Sequence, residues 1–491
     1  MGVMRFHAFP TERITGEMLK QTYVSGLDRV AWPTQASVEG EELVLSRAVS
    51  DSGNVHLPWP TEDFGPLMLT TGALMERPAP YLLPLEIARG AIVQLRNQLC
   101  EWQVVGLSVP EAIQAKVAEA VVRFSWAAVT QDEPAVCAEH AEAALRLALA
   151  AADALAALYA DQALAIRRRS GGKLETLLGA DLGGTLLDNS TARQYLRTFN
   201  AAKVPIAWRD IETTEGSFSW STSDHQIEWC RKHGLTVVAG PLLMLDAHEL
   251  PHWFYLFEDD FESALEFASA FVRAAVQRYR GKVDYWVCAG RVNSSDAVAL
   301  SERERVGLVA RIVALVRALD PNTPRLVSFD QPRAEYLRER ESDFPPLHFA
   351  DALVRADVGL SGLMMEMNVG YWPGGSQLRH PLEFSRLLDT WSQLGLPLWL
   401  SLSAPSGDQE DPVALHREAV PARSWSPAAQ EAWIARHVPL ALAKPSVQGI
   451  LWNQLCDSRP HDFPNGGLFD AHRKPKPSLR RLAAIRQTHL K

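Results

Sequence analysis

The chain has 491 residues, of which 47% are hydrophobic and 22% are charged, and its formal net charge is −9. This composition is typical of a globular protein and excludes a largely disordered or low-complexity chain. The acidic balance without a basic run argues against a nucleic-acid partner, and no apolar stretch reaches the ~18 residues that a membrane span requires.

The first part of the chain has the pattern of β-strands separated by turns. Residues that favour strands alternate or cluster at 29–33, 41–47 and 67–74. Turn signals lie between them at 38–40 (VEG), 51–54 (DSGN) and 58–60 (PWP). We therefore expect a small β-sandwich-like module over residues 1–82.

The next part of the chain has the apolar spacing of helices, which are predicted at 85–101, 110–129 and 133–169. The second and third helices begin at proline-containing start signals. The last one ends at Arg167-Arg168-Arg169, because cations are favourable at a helix C-terminus and Ser170-Gly171-Gly172 follows. We expect a helical arm over 83–170 and a domain boundary after it.

From residue 173 to 491, short apolar runs alternate with amphipathic helices. Strands are predicted at 175–182, 204–208, 236–244, 283–289, 325–330, 362–369, 397–403 and 448–453, and helices at 260–279, 301–319, 381–394 and 427–443. Eight such units predict a (β/α)₈ TIM barrel, an α/β fold. A doubly wound sheet is the alternative, but the turn at 183–185 is too short for its phosphate-binding loop.

Other features set the expected environment of the protein. The N-terminus has no apolar signal core, so we expect a cytoplasmic location. The five cysteines are scattered without C-x-x-C spacing, which argues against a disulfide scaffold or a structural zinc site. No cofactor and no metal are predicted, since the best metal candidates, at 246–248 (DAH) and 461–462 (HD), have no partner at ligand spacing. The oligomeric state is left open.

Six segments of the predicted barrel share an order with a known family. They are Phe199-Asn200 with Trp208, Glu212, Gly216 and Phe218; 229–235 (WCRKHGL); 238–244 with 250–253 (LPHW); 279–283 (YRGKV) with Trp286; 449–452 (GILW); and 467–470 (GLFD) with 474–477 (KPKP). Together they resemble glycoside hydrolase family 10, the xylanases. The resemblance covers about residues 174–482 and implies a (β/α)₈ barrel that acts on or binds a carbohydrate.

The resemblance fails at the catalytic positions of the family. The family's fourth strand ends in W-D-V-x-N-E, whose glutamate is the general acid/base, whereas residues 286–291 read WVCAGR and place Arg291 there. The family's seventh strand carries the nucleophile in T-E-L/F-D, whereas residues 400–403 read LSLS and assign Leu402 to that position. Arginine cannot donate a proton at neutral pH and leucine is no nucleophile, so we expect no ordinary xylanase activity.

Three carboxyl groups at predicted strand ends are the candidates for a relocated catalytic pair: Glu366, Asp246 and Asp330. Glu366 follows two methionines on the sixth strand, where it must either line the pocket or pair with a cation. A cation stands on strand four where the family has a carboxylate, and a carboxylate stands on strand six where the family has glutamine. We therefore expect Arg291 and Glu366 to pair across the barrel.

Aromatic and amide side chains near the strand ends are candidates for carbohydrate binding: Trp253, Tyr371, Trp372, Trp452, Asn368 and Asn453. Aromatic rings at the mouth of a barrel suit stacking against a sugar. An oligosaccharide, polysaccharide or glycoconjugate is therefore the expected partner. Three functions stay open: a glycosidase with relocated carboxylates, a catalytically silent carbohydrate-binding barrel, and a structural or interaction protein.

Overall fold

A computed structural model describes residues 2–169, 172–257, 260–294, 297–417, 419–421 and 424–491 of the chain. These residues form two compact units. The first unit contains residues 1–166 together with 333–342 and 377–387, and the barrel unit contains residues 167–332, 343–376 and 388–491. The predicted helix end at Ser170 and Gly171 lies outside the described residues, and the domain boundaries at 82 and 170 stay predictions.

The β-rich part of the first unit consists of two four-stranded sheets, with strand orders β4-β5-β1-β8 and β3-β2-β6-β7 in the described residues. The strands are β1 (Gly2–His7), β2 (Tyr23–Ser25), β3 (Ala31–Trp32), β4 (Thr34–Glu39), β5 (Glu42–Arg47), β6 (Gly53–Thr61), β7 (Gly65–Leu74) and β8 (Tyr81–Leu82). Two small sheets confirm the sandwich-like module that the sequence predicts.

The predicted turn at Pro58-Trp59-Pro60 is wrong, because these residues lie inside β6. Strand β2 pairs with β6 only at residues 54–56, so the rest of β6 pairs only with β7. Proline lacks the N–H group that a central strand needs, but it is tolerated where one side of the strand is unpaired. Trp59 is buried at the same place and contributes to the core.

Three helices of the first unit follow the predicted periods: α2 (Leu83–Val104), α3 (Glu111–Val129) and α4 (Pro134–Arg169). The short helix α1 (Gly16–Gln21) lies where the sequence predicted only strands and turns. Among the described residues, α4 is the one helix long and apolar enough to cross a membrane, on length and composition alone. Half of its most apolar stretch is buried inside the protein.

A network of buried charges crosses the interior of the first unit. Arg379 binds Glu335 through Nε (3.1 Å) and Nη2 (2.9 Å), and its Nη2 also donates to the Tyr23 hydroxyl (2.7 Å). Glu383 accepts hydrogen bonds from Arg29 (3.1 Å) and Arg333 (3.2 Å). Each of these carboxylates therefore has a guanidinium partner, and the network holds the segments 333–342 and 377–387 within this unit.

The strands and helices of the rest of the chain alternate as the sequence predicts. The strands are β9 (Leu177–Asp181), β10 (Ala201–Val204), β11 (Thr236–Ala239), β12 (Leu243–Met244), β13 (Tyr285–Gly290), β14 (Arg325–Asp330), β15 (Gly362–Asn368), β16 (Tyr371–Trp372), β17 (Leu398–Ser403), β18 (Val420–Pro421) and β19 (Val447–Trp452). The helices are α5 (Asn189–Thr198), α6 (Trp208–Ile211), α7 (Ser221–Lys232), α8 (Phe261–Tyr279), α9 (Glu302–Leu319), α10 (Pro346–Arg355), α11 (Pro381–Ser392), α12 (Pro427–Ala443) and α13 (Pro477–His489).

Eight of these strands close into a parallel ring within the described residues, in the order β9, β10, β11, β13, β14, β15, β17 and β19. The predicted (β/α)₈ barrel is therefore confirmed. The second strand is displaced from its predicted position at 204–208, because β10 covers Ala201–Val204 and Trp208 begins α6. Pairing with β9 and β11 on both sides overrides the weak strand preference of Ala201-Ala202-Lys203.

The centre of the barrel is filled by one apolar cluster: Val238, Val287, Leu326, Met364, Trp399 and Leu451. These residues come from strands β11, β13, β14, β15, β17 and β19. Because side chains alternate along a strand, residues two or four positions further on point to the same interior. The polar residues that follow on these faces therefore meet at the carboxyl ends of the strands.

Candidate functional site at the barrel mouth

The barrel mouth is the group of polar side chains at the carboxyl ends of the strands and in the loops that follow: Asp181, Lys203, Asp246, Glu249, Arg291, Asp330, Glu366, Asn368, Ser401, Ser403, His416, Asn453 and Asp462. Arg291, directly after β13, lies at its centre. Its φ of +52° is in the left-handed region, which is costly for a residue with a side chain. Such strain is kept where the surroundings fix the residue, and Arg291 is only 6% exposed.

Three carboxylates hold the Arg291 guanidinium. Glu366 Oε1 accepts from Nε (3.0 Å) and Nη2 (2.5 Å), Asp246 Oδ2 accepts from Nη1 (2.9 Å), and Asp462 Oδ2 accepts from Nη2 (2.5 Å). The predicted pair of Arg291 and Glu366 is therefore confirmed. The sequence indicates Asp462 only as a metal candidate, because its position at Arg291 depends on the loop after β19.

The charge of Arg291 controls the protonation of its partners. Burial alone would raise the pKa of Asp246, but Arg291 and the backbone N–H of His248 bring that pKa below its ordinary value. Burial acts on Asp462 in the same way, and Arg291 together with His416 lowers its pKa. Both carboxyl groups are therefore held ionised, and neither is a proton donor at neutral pH.

Two carboxylates lie close together on Arg291 without forming the catalytic pair of a retaining glycosidase. Glu366 Oε1 and Asp462 Oδ2 each lie 2.5 Å from the same nitrogen of Arg291, so they are no more than about 5 Å apart. Retaining hydrolysis also needs one of its two carboxyl groups to be protonated. Here both groups accept hydrogen bonds from one guanidinium, so this pair lacks the acid.

A chain of amide and hydroxyl groups extends from Glu366 along the mouth. Asn368 Nδ2 donates to Glu366 Oε1 (3.0 Å), and Asn368 Oδ1 accepts from Ser403 (2.6 Å) and from Asn453 Nδ2 (3.0 Å). The Ser401 hydroxyl donates to Asn453 Oδ1. Asn368 is buried and Asn453 is partly exposed, so Asn453 is the member of this chain that a ligand can reach.

Asp330, at the end of β14, keeps one carboxyl oxygen without a partner. Its Oδ2 accepts from Ser294 (3.2 Å) and Gln331 (3.3 Å), whereas its Oδ1 is buried and has no hydrogen-bond partner within the described residues. Burial, together with the neighbouring Glu366 carboxylate, raises its pKa to about 7. Asp330 is therefore separate from the Arg291 cluster, although all three predicted candidates lie in the same mouth.

Glu249 is a further carboxyl group of the mouth, which the sequence did not single out. It lies on the turn that starts at Asp246, where its N–H donates to the Asp246 carbonyl (3.0 Å). Burial and the neighbouring carboxylates, chiefly Asp462, raise its pKa to about 8, although Arg291 acts in the opposite direction. A carboxyl group that keeps its proton near neutral pH beside ionised ones is typical of functional sites.

Two basic groups complete the mouth. Lys203 on β10 binds Asp181 on β9 (2.9 Å), and both side chains are 13% exposed. His416 Nε2 lies 3.8 Å from Asp246 Oδ2, and its ring stacks on Phe463 at 5.1 Å. The His416 side chain is 22% exposed and the Asp462 side chain 29% exposed, so these two groups form the accessible edge of the cluster.

Strand alternation corrects the assignment of Leu402. Trp399 points into the barrel, so Ser401 and Ser403 share its face and Leu402 points away from it. Leu402 is fully buried outside the mouth. The residues of this strand that reach the mouth are therefore the two serines, whose hydroxyl groups bind Asn453 and Asn368.

The same alternation corrects Trp452, because it is Leu451 that faces the interior. Trp452 is 2% exposed, its indole N–H donates to the Gly466 carbonyl (2.9 Å), and its ring lies 6.3 Å from that of Trp433 on α12. Tyr371 is also fully buried, with its hydroxyl bonded to the Pro464 carbonyl (2.8 Å). Neither ring offers a face to a sugar.

The other two predicted aromatic residues are partly exposed. Trp253 packs against Phe267 (ring centroids 5.3 Å apart) and donates its indole N–H to the Glu212 carbonyl (3.0 Å). Trp372 lies in the short strand β16, after β15. Stacking of a sugar on Trp253 or Trp372 stays a prediction.

A cluster of Asp411, Asp457 and His461 has ligand atoms within 4.8 Å of one another, the spacing of a metal site. His461 Nε2 lies 2.9 Å from Asp411 Oδ2, and Asp457 binds the ammonium group of Lys476. Lys476 also donates to Ser406 (2.6 Å). The lysine supplies the positive charge that a metal would bring, so the donor set fits a structural ion pair better than a metal.

Residues 184–302 match the family model described as Glycosyl hydrolase family 10. No curated protein matches the chain.

Solved structures similar to this chain include native xylanase 10B from Thermotoga maritima (15% identity, 64% of this chain and 95% of that chain, TM-score 0.49). Others are xylanase 10B from Thermotoga petrophila RKU-1 in complex with xylobiose (16% identity, 66% and 96%, TM-score 0.48) and GH10 from Paenibacillus barcinonensis (17% identity, 65% and 96%, TM-score 0.48). With its own closed ring of eight parallel strands and the match over 184–302, the chain carries a GH10-like (β/α)₈ barrel.

Proposed function

We propose that the barrel mouth binds a carbohydrate and that the chain does not perform the retaining, two-glutamate hydrolysis of family 10. One observation carries the proposal: the Arg291 guanidinium, which the sequence assigns to the family's acid/base position, is held by Glu366, Asp246 and Asp462. A guanidinium cannot protonate a leaving group, and its three partners are occupied by it.

Binding is supported by the groups that stay accessible around this cluster. Asp462, His416 and Asn453 are partly exposed and offer hydrogen-bond acceptors and donors to sugar hydroxyl groups. The family match over 184–302 covers the part of the barrel that contains Asp246, Glu249 and Arg291. A polar mouth whose central guanidinium is fixed by three carboxylates suits recognition of a polar ligand.

The proposal is tested by calorimetric titration with a panel of xylo-, cello- and chito-oligosaccharides, together with a reducing-sugar assay on xylan. We expect saturable binding of at least one oligosaccharide and no release of reducing sugar. Asp462→Asn removes a charged acceptor at the accessible edge and should weaken binding about tenfold or more. Glu228→Gln, on the exposed side of α7, removes the same charge outside the barrel and should leave affinity unchanged.

Two results would overturn the proposal. The binding part fails if no member of the panel binds to the folded protein. The proposed lack of hydrolysis fails if xylan is hydrolysed at a rate typical of enzymes. A rate unaffected by Arg291→Ala would show in addition that the cluster around Arg291 is not the catalytic centre.

A further inference from the structure

We propose that helix α3 (Glu111–Val129) is a self-association surface, through which two copies of the chain pair with their α3 helices antiparallel. The observation that points to it is that α3 has two apolar faces, of which the fold covers only one. The proposal concerns a surface of the first unit and does not depend on carbohydrate binding by the barrel mouth.

One face of α3 is packed within the first unit. Its buried residues are Val117, Ala120 and Ala127. Phe124 on the same face is partly buried, and the guanidinium of Arg89 on α2 lies over its ring, 5.1 Å from the ring centroid. A helix that buries one face in this way normally presents polar residues on the opposite side.

The opposite side of α3 is also apolar. The exposed residues along it are Ala115, Ala118, Val122, Trp126 and Val129, and the last three side chains are 55%, 55% and 73% exposed. Their spacing of three and four residues places all five within an arc of roughly 80° around the helix axis. A contiguous apolar surface of this kind marks an interaction site, and we call these five residues the α3 stripe.

The α3 stripe is complementary to itself in side-chain size. Its N-terminal half carries the small residues Ala115 and Ala118, its C-terminal half carries the large residues Trp126 and Val129, and Val122 lies between them. When a second α3 is placed antiparallel across Val122, Trp126 of one copy lies opposite Ala118 of the other, and Val129 lies opposite Ala115. Large residues that face small ones let two helices interdigitate, whereas a parallel pair would place the two tryptophans against each other.

The charged residues beside the stripe favour the same arrangement. Glu119 and Arg123 are exposed on one flank of the stripe, one helical turn apart. In the antiparallel pair, Glu119 of one copy lies beside Arg123 of the other, so two contacts between opposite charges form across the twofold axis. In a parallel pair this flank would instead face the flank that carries Gln114 and Ser125. Size and charge complementarity therefore both identify a second copy of the chain as the occupant.

The charge balance of α3 disfavours a lipid surface as the occupant. Helices that lie on membranes are rich in lysine and arginine on their polar face. The charged residues of α3 are Glu111, Lys116, Glu119 and Arg123, whose formal charges cancel. The helix therefore lacks the positive charge that would draw it to anionic lipids.

The first experiment measures the oligomeric state of the full chain by sedimentation velocity at about 1 to 200 µM protein, a range suited to a small interface. We expect a reversible equilibrium between monomer and dimer. Val122→Lys places two ammonium groups against each other near the twofold axis and should weaken dimerisation about tenfold or more. The control Val38→Lys makes the same change at an exposed valine of β4 and should leave dimerisation unchanged.

The second experiment tests the antiparallel geometry by exchanging charges. Glu119→Lys and Arg123→Glu each place like charges across the twofold axis, so each variant alone should dimerise several-fold more weakly than the wild type. In an equimolar mixture, a heterodimer of the two variants has opposite charges at both contacts. The mixture should therefore recover the affinity of the wild type.

Four results would overturn the proposal. They are a wild-type protein that stays monomeric at the highest concentration, a dimer that Val122→Lys leaves intact, a mixture that does not recover affinity, and binding to vesicles of phosphatidylcholine and phosphatidylserine that Val122→Lys abolishes. The last result would assign the stripe to a membrane. Circular dichroism confirms that each variant is folded, which is expected because every substituted side chain is exposed.

Discussion

The two units each contain a buried network of charges. The two networks differ in how many of their carboxylate oxygens have a hydrogen-bond partner and in how exposed these groups are to water. In the first unit, Glu335 and Arg379 are 2% and 4% exposed, and Glu335 binds both Arg379 and the backbone N–H of Gln377 (2.7 Å). In the barrel mouth, Asp462 is 29% exposed and Asp330 Oδ1 is unpaired among the described residues.

This difference helps to distinguish buried charges that stabilise the fold from buried charges that are available to bind a ligand. Where every carboxylate has a guanidinium and is shielded from water, the network fixes the position of the segments that carry it. Burial would raise the pKa of Glu383, but Arg333, Arg29 and Arg379 hold it far below its ordinary value. In the mouth, burial and neighbouring carboxylates instead raise the pKa values of two carboxyl groups, Glu249 and Asp330.

The largest loss of stability is expected for Glu335→Ala. This change leaves the Arg379 guanidinium buried without its carboxylate and should lower the free energy of unfolding by about 3–5 kcal/mol. Urea denaturation followed by circular dichroism measures the loss. The matched control is Glu39→Ala, which removes an exposed partner of Arg5 in the same unit and should lower the free energy of unfolding far less. Equal losses in the two variants would contradict a structural role for the first network.

Glu366→Ala should lower the free energy of unfolding less than Glu335→Ala does, by about 1.5–3 kcal/mol, although its partner Arg291 is as buried as Arg379. Arg291 keeps Asp246 and Asp462 after the change, so no uncompensated charge is left. A double-mutant cycle with Arg291→Ala measures the coupling and should give a total loss that differs from the sum of the single losses. Additive losses would refute the pairing of Glu366 with Arg291.

The smallest expected effect is the pH dependence of stability that Glu249 causes. The folded protein raises the pKa of Glu249 from its ordinary 4.5 to about 8, so its contribution to stability is complete below pH 4.5 and is lost as pH rises through 8. Solvent screening of this partly exposed group limits the loss to on the order of 1–2 kcal/mol. Thermal melts from pH 4 to 9 should show a shallower decline for Glu249→Gln than for the wild type. Parallel curves would argue against a protonated Glu249, and the slope that persists in the variant is expected from Asp330.

The sequence predicted the barrel well because periodicity is a local property. Strands at Arg325–Asp330 and the helix at Pro427–Ala443 begin and end where their apolar patterns do. The pairing of Arg291 with Glu366 was also predictable, because alternate strands of a barrel share interior layers. Leu402 and Trp452 were misassigned by one residue, and a shift of one position reverses the face of a strand.

The parts of the mouth that lie on loops could not be predicted in this way. Asp462 follows β19 in a loop without periodicity, and Glu249 lies on a turn whose hydrogen bonds to Asp246 depend on the fold. A raised pKa is a property of the surrounding charges, which are distant in the sequence. The close approach of these carboxyl groups is therefore visible only once the strands have brought them together.

The first unit is discontinuous in the sequence, and this has a consequence for its synthesis. Glu335, Arg379 and Glu383 belong to segments that leave the ribosome long after residue 166. Until residue 387 has been translated, Tyr23 and Arg29 of the N-terminal module lack their buried partners, Arg379 and Glu383. Domains generally fold in order of synthesis, but this one cannot finish before most of the barrel has been made. The nascent chain is therefore expected to depend on chaperones for longer than its N-terminal position would suggest.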